Sequence, residues 1–272
     1  MNNTDDKACR QVPVYFRILL VEDVLVNRLV AVKIIESMNL GKVEIARNGI
    51  EAVEMFNNEK FDLILMDGEM PLMSGFEASV RIRELEKKHN LPRIPIIALT
   101  AHAQKQDREK FINCGMDDYL IKPLNQDSLQ RAVHTLTGKV RPAGVVEMES
   151  EPGPVVGKTI AVDELMEIMN QSKSLLSRCL EAFQATYRPV LDKIRCSIEE
   201  KNCIELKKSS HRLKGMLKYM AAPSAVKIAE ALEAMAQDQS LAGAEDLLLM
   251  LEKECAAVLS EVQSILNQDI FN

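Results

Sequence analysis

The chain has 272 residues, which is enough for one large domain or two ordinary ones. A formal net charge of −6 without any basic run argues against nucleic-acid binding, and no apolar run approaches the ~18 residues of a membrane span. The six cysteines are scattered without a CxxC pair, and the polar N-terminus lacks the apolar core of a signal peptide. These features predict a cytoplasmic protein with reduced thiols that binds neither nucleic acid nor membranes.

Short apolar runs alternate with helical patterns in the first half of the chain. The predicted strands, in chain order, are 17–21, 43–46, 63–66, 94–99 and 119–121. The predicted helices that follow them are 24–38, 50–56, 76–88, 105–113 and 128–136. Such alternation predicts an α/β fold, a doubly wound five-stranded parallel sheet with helices on both faces.

Polar side chains follow four of these strands. Glu22 and Asp23 follow the first strand, Asp67 the third, Thr100 the fourth and Lys122 the fifth. Because ligands of open α/β sheets bind beyond the carboxyl ends of the strands, we expect these side chains to form one site. Three neighbouring carboxylates repel one another, and Mg²⁺ would relieve that repulsion while leaving a position for a phosphoryl oxygen.

This combination of residue types indicates phosphoryl chemistry. Taken singly, Asp67 reads as a loop-starting acid, Lys122 as a solvated loop lysine and Thr100 as a helix N-cap. Taken together with Mg²⁺, Asp67 can act as a nucleophile on a phosphoryl group. Lys122 and the Thr100 hydroxyl can then stabilise charge on the transferring oxygens.

The region from about residue 17 to residue 138, with these motifs, resembles a two-component receiver domain, which has a flavodoxin-like fold. The resemblance implies that Asp67 is the phospho-acceptor. It also implies that Asp23, Asp67 and the carbonyl group of Glu69 bind Mg²⁺ directly, while Glu22 acts through a water molecule.

The same resemblance assigns roles to the other residues at this edge. Thr100 and Tyr119 correspond to the switch pair of the family, and Lys122 to its phosphate-binding lysine. The Lys122-Pro123 bond corresponds to one that the family often holds cis. Glu69 and His102 stand at positions that vary within the family, and we interpret His102 as an ordinary loop histidine.

Residues 139–158 show neither the helical nor the strand periodicity of apolar residues, and they contain Pro142, Pro152 and Pro154 among glycines and acids. This composition predicts a flexible linker between a receiver domain at 15–138 and a second domain at 159–268. A flexible chain of about 20 residues has an r.m.s. span of roughly 25 Å, so the two domains could touch.

The second half shows helical periodicity only. Apolar stripes predict four amphipathic helices with short connections, hence an all-α four-helix bundle, with a leading helix at 162–169 across one end. The first long stripe contains Pro189, where we expect a bend.

The segment HRLKG, residues 211–215, contains the candidate functional residues of this half. His211 lies about 200° around the helix from Leu213, so we expect an exposed imidazole with Lys214 and Gly215 on the same face. An exposed imidazole can accept a phosphoryl group, Lys214 can offset its charge, and Gly215 leaves space for a partner. The alternative is an ordinary solvated histidine.

HRLKG resembles the HxLKG motif of histidine phosphotransfer (HPt) domains. Downstream, where that family usually has small residues and a glycine, this chain has Met216, Leu217, Lys218 and Ala221. The departure concerns the choice of partner more than the fold. Lys218 adds a second cation on the His211 face, and we expect both lysines to attract the acidic rim of a docking receiver.

A receiver joined to an HPt bundle predicts a phosphorelay protein that accepts a phosphoryl group on Asp67 and carries phosphate on His211. No ATP-binding kinase motif is visible in the sequence. The expected partners are therefore an upstream histidine kinase or phospho-HPt donor and a downstream response regulator receiver. Two alternatives stay open: an Mg²⁺-dependent aspartyl phosphohydrolase, and an interaction module with an inert His211. Whether Asp67 and His211 exchange phosphate within one chain also stays open.

Overall fold

The structure is a computed structural model, and it describes residues 15–101, 105–138 and 159–268. The predicted linker at 139–158 and His102 lie outside the described residues, so the domain boundaries stay a prediction. Within the described ranges, no helix has the length and apolar character that a membrane crossing requires.

The first half forms one five-stranded parallel sheet with the strand order β2-β1-β3-β4-β5. Its strands are β1 (Phe16–Val21), β2 (Gly41–Ala46), β3 (Leu63–Asp67), β4 (Ile96–Thr100) and β5 (Asp118–Ile121). The predicted strands are confirmed within a few residues. Because the strands are parallel, Asp67 at the end of β3 pairs with Leu99 on β4, which brings their carboxyl ends to one edge.

The helices α1 (Leu25–Ser37), α2 (Gly49–Asn58), α3 (Gly75–Lys88), α4 (Lys105–Asn113) and α5 (Gln126–Thr137) follow the strands in turn. Alternate strand residues point to opposite faces, so the sheet has a separate apolar cluster on each side. Leu19 and Ile64 belong to the cluster that also contains Phe56 and Phe111, whereas Leu20 and Leu65 belong to the cluster that contains Val30. The doubly wound fold is confirmed.

Local chemistry fixes the loop that follows Asp67. Ser74 caps α3 in a capping box with Glu77, which satisfies exposed N–H groups at the start of the helix. A Cβ atom at Gly75 would lie 1.9 Å from the Asp67 carbonyl oxygen. Only glycine therefore lets α3 start so close to the backbone of the predicted acceptor.

The second half contains α6 (Val162–Ile168), α7 (Lys173–Glu199), α8 (Cys203–Tyr219), α9 (Pro223–Gln237) and α10 (Ala244–Leu266). α8 packs on α7 and α9, and α10 packs on α9 and α7, so these four helices close a ring. The predicted bundle and its leading helix are confirmed. Pro189 lies inside α7, which continues past it.

The two halves pack against each other. α1 of the sheet half contacts α7 and α8 of the bundle. A single apolar cluster runs from Leu20 and Val30 on the sheet side to Leu176 and Leu213 in the bundle. The sequence indicated only that the halves could touch, and the structure shows that they do.

Candidate functional site

Three carboxylates from two strand ends form an acidic cluster at the carboxyl edge of the sheet. One carboxylate oxygen from each of Glu22, Asp23 and Asp67 lies within 4.8 Å of the others. Glu22 and Asp67 are buried, with 1% and 5% of their surfaces exposed, and Asp23 is partly buried. This arrangement brings together the three acids that the sequence placed at this edge.

Lys122 neutralises part of this charge. Its Nζ lies 2.6 Å from Glu22 Oε2 and 2.8 Å from Asp67 Oδ2. Burial, together with the charge of Glu22, raises the pKa of Asp67 well above its usual range, although Lys122 opposes this. Burial and Glu22 likewise raise the pKa of Asp23. Asp23 and Asp67 keep raised pKa values beside Lys122 chiefly because they are buried, so a bound cation would favour their ionised forms.

The other predicted residues of this edge have defined contacts of their own. The backbone N–H of Glu69 donates to Asp67 Oδ1 at 3.4 Å, and the Glu69 side chain is exposed. Thr100 ends β4 and is partly exposed, and its carbonyl accepts from the Lys122 N–H at 2.7 Å. The Tyr119 ring stacks on Phe111 with 5.6 Å between centroids. The Lys122-Pro123 bond is cis, as the resemblance implied.

His211 lies at the same edge as this cluster. Its Nδ1 is 3.6 Å from Glu69 Oε2 of the sheet half and 2.9 Å from Glu233 Oε1 on α9. The His211 and Lys214 hydrogen bonds outweigh the effect of burial and lower the pKa of Glu233 to about 2. An ionised carboxylate can only accept, so Nδ1 carries a proton and donates to Glu233. Nε2 is therefore the ring nitrogen that can form a bond to phosphorus when it is unprotonated.

The prediction of an exposed His211 face is wrong. The His211 side chain is 20% exposed, and that of Lys214 is fully buried in an ion pair with Glu233. The reason is that α9 and the sheet half both cover this face of α8. The charge of Lys214 is consequently balanced by Glu233 inside the bundle.

Two contacts join α8 to the beginning of the sheet half. Arg212 Nε lies 3.4 Å from Asp23 Oδ2. A Cβ atom at Gly215 would lie 3.6 Å from Asn27 Nδ2, which in turn donates to Glu22 Oε1 at 2.9 Å. An alanine would make only ordinary van der Waals contact there, so Gly215 leaves space that larger side chains would fill.

Two further contacts join α8 to the loops that follow β4 and β5. The Lys218 ammonium group donates to the Ala101 carbonyl at 3.0 Å. The Tyr219 hydroxyl accepts from the Leu124 N–H at 3.1 Å. All of these contacts place His211 beside the acidic cluster.

Sequence reasoning missed Glu233, Arg212, Asn27 and Tyr219. Glu233 lies 22 residues from His211, and its role depends on the packing of α9 against α8. Arg212 pairs with Asp23 and Asn27 faces Gly215 across the two halves, and no periodicity reveals such proximity. Tyr219 offered a weak signal, because a tyrosine that is buried usually needs a partner for its hydroxyl group.

Comparison with known families identifies both halves of the chain. Residues 18–134 match the model of the response regulator receiver domain, and residues 178–263 match that of the Hpt domain. The sensor protein GacS of Pseudomonas syringae pv. syringae is 30% identical over 249 residues, which are 88% of this chain and 27% of GacS. Hybrid signal transduction histidine kinase I of Dictyostelium discoideum is 39% identical over 124 residues, 44% of this chain and 7% of that protein. The chain thus spans well under two thirds of the length of both curated relatives.

A solved structure matches the first half. The receiver domain of a sensor histidine kinase from Pseudomonas aeruginosa PAO1, with a magnesium ion coordinated in its active site cleft, is 39% identical to the matched part of this chain. The match covers 46% of this chain and 99% of that domain, with a TM-score of 0.41.

Proposed function

Because the chain contains a response regulator receiver domain and an Hpt domain, we propose that it is a phosphorelay protein. Asp67 accepts a phosphoryl group from an upstream histidine kinase or phospho-HPt donor and passes it to His211. His211 then serves a downstream response regulator receiver. The observation that carries this proposal is the position of His211 at the acidic rim, with Nδ1 3.6 Å from Glu69 Oε2. In this proposal the receiver covers 15–138, the linker 139–158 and the HPt domain 159–268.

The acidic cluster fits Mg²⁺. Its oxygen donors and residual negative charge suit a hard divalent cation. Asp23, Asp67 and the Glu69 carbonyl group would hold the ion, and Glu22 would hold it through a water molecule. When bound, the ion supplies charge neutralisation at the phosphoryl oxygens.

Asp67 is the acceptor in the first step. Its carboxylate oxygen forms a bond to phosphorus as the bond between phosphorus and the donor nitrogen breaks. Lys122, already 2.8 Å from Asp67 Oδ2, neutralises charge on the incoming group, and the Thr100 hydroxyl can hydrogen-bond to it.

His211 is the acceptor in the second step. Nε2 forms the new bond to phosphorus as the bond to Asp67 breaks, and Asp67 leaves as a carboxylate beside Lys122. The imidazole gains positive charge while Nδ1–H points at the ionised Glu233 carboxylate, 2.9 Å away. Lys214 holds the other oxygen of Glu233 and fixes that carboxylate in place. The residues of α8 and α9 therefore orient the imidazole and stabilise its charged form.

Intact-mass measurement of phosphorylation tests the proposed function. The full chain treated with acetyl phosphate and Mg²⁺ should gain label on Asp67, and acid-labile label should then appear on His211. Asp67→Asn should abolish both labels, and His211→Gln should abolish only the acid-labile one. Treatment with ATP and Mg²⁺ alone should give no label.

Other outcomes would contradict the proposal. Equal labelling of the Asp67→Asn chain would reject Asp67 as acceptor. Continuous release of phosphate without any His211 label would favour a phosphohydrolase. A chain labelled on Asp67 alone would favour an interaction module with an inert His211.

A further inference from the structure

Two consecutive residues of α8 make hydrogen bonds to the two receiver loops beside the phosphoryl site. Lys218 Nζ donates to the carbonyl of Ala101, the residue after Thr100. The Tyr219 hydroxyl accepts from the N–H of Leu124, which follows the Lys122-Pro123 bond. The two contacts therefore hold the backbone directly beside the predicted switch hydroxyl and close to the predicted phosphate-binding lysine.

Burial makes the Tyr219 contact consequential. Tyr219 is 1% exposed and Leu124 is 2% exposed. A hydroxyl group and an N–H group that are both removed from water each need a partner, and here each is the other's partner across the two domains. A tyrosine that served only the apolar core of the bundle would not need to reach a loop 95 residues away.

The Lys218 contact is set by charges around it. Burial lowers the pKa of Lys218, and the nearby Glu230, with one oxygen 3.8 Å from Nζ, opposes that shift. The ammonium group thus lies between a carboxylate of its own domain and a backbone carbonyl of the receiver. The Lys218 contact therefore depends on the backbone of the loop after β4 and not on a side chain of that loop.

We propose that Lys218 and Tyr219 form a clamp that docks the HPt domain on the chain's own receiver and holds His211 at Asp67. The role of this clamp in transfer rests on the proposed passage of phosphate from Asp67 to His211. The clamp binds backbone groups of Ala101 and Leu124, so docking also depends on the conformation of the loops that contain these two residues. The partner that fits this surface of α8 is the receiver domain of the same chain.

Protection of His211 from diethyl pyrocarbonate measures docking without using phosphotransfer. In the full chain, docking should slow the modification of His211 relative to the exposed His89. Tyr219→Phe keeps the ring but leaves the buried Leu124 N–H unpaired. We expect docking to weaken about tenfold, equivalent to about 1.4 kcal/mol, and His211 modification to accelerate by the same factor. Amide exchange at Leu124 should accelerate with it.

Matched variants separate the clamp from general loss of structure. Lys218→Met should also accelerate His211 modification, and the double variant should exceed both single ones. Tyr187→Phe removes a hydroxyl group whose partner, Arg188, lies in the same helix, and Lys208→Met removes an exposed charge of α8. Neither control should change His211 protection. Thermal unfolding of each variant verifies that the bundle stays folded.

The outcomes distinguish this inference from the proposed function. Unchanged His211 protection in both Tyr219→Phe and Lys218→Met would overturn the clamp, even in a chain that transfers phosphate to His211. Increased modification in the clamp variants would support the clamp, even in a chain whose His211 is never phosphorylated. An equal increase in the Tyr187→Phe and Lys208→Met controls would also overturn it, because the effect would then not come from the interface.

Discussion

Glu233→Gln should slow phosphoryl transfer to His211 while leaving Asp67 labelling intact. The substitution keeps the size of the side chain but removes the charge that faces His211 Nδ1 at 2.9 Å. Glutamine can still accept a hydrogen bond, yet it no longer balances the positive imidazole formed during transfer. A hydrogen bond to a charged group contributes about 1.5–3 kcal/mol, so we expect transfer to slow about 10- to 100-fold.

The same substitution should lower the free energy of unfolding of the bundle. The pKa of Glu233 falls from 4.5 to about 2, which corresponds to an upper value of about 3 kcal/mol of stability. Partial exposure of the carboxylate reduces this, and we expect a loss of about 2 kcal/mol at neutral pH. Because the pKa is lowered in the folded state, this contribution is present above about pH 4.5 and disappears as the pH falls towards 2.

Paired measurements on the full chain check both effects. Quenched mass spectrometry follows the label from Asp67 to His211, and urea unfolding at several pH values gives the stability. Glu233→Asp keeps the negative charge and serves as the matched control, so it should lose less stability than Glu233→Gln and retain more of the transfer rate. An unchanged transfer rate in Glu233→Gln, with the bundle folded, would refute the role given to Glu233.

Three further predictions follow from the same contacts. Gly215→Ala should keep the rate of within-chain transfer within about threefold of the parent, because there is space for a Cβ atom at this position. Gly215→Leu should separate the domains and abolish the transfer. Equal transfer rates in the two variants would contradict the packing described for α8. Lys122→Met should raise the pKa of Asp67 further, because it removes the positive charge 2.8 Å from Asp67 Oδ2. Labelling of Asp67 by acetyl phosphate should then need a higher pH or more Mg²⁺. An unchanged pH profile of labelling would contradict this. Raising salt from about 0.05 M to about 0.5 M should slow within-chain transfer by less than about threefold. The Arg212–Asp23 ion pair is partly exposed and weakens, whereas Lys218 and Tyr219 bind backbone groups. A steep decline would indicate that exposed charges control docking.

The sequence predicted the receiver half closely because its signals are local. Apolar runs that end in acids identify β1 and β3, and parallel pairing then requires Glu22, Asp23 and Asp67 to meet at one edge. The bundle followed equally well from its apolar stripes. In both halves a short segment contains the information that fixes the element.

The contacts between the two halves could not be predicted in this way. Periodicity placed Lys214 on an exposed face, because it identifies the side of α8 that faces the bundle core and reveals neither the ion pair with Glu233 on α9 nor the docked sheet half. Glu233 and Tyr219 acquire their roles only when α9 packs on α8 and α8 packs on the receiver. Such information lies in long-range packing, which a single sequence does not express as a pattern.

Transfer from Asp67 to His211 at a series of dilutions tests the central claim most directly. The full chain is labelled on Asp67 with acetyl phosphate, freed of reagent, diluted over about three orders of magnitude and quenched at intervals for measurement of acid-labile label. Both acceptors belong to one chain, so transfer between its docked domains should proceed with a rate constant that is independent of dilution. A rate proportional to protein concentration, or no label on His211 at any dilution, would contradict transfer within one chain.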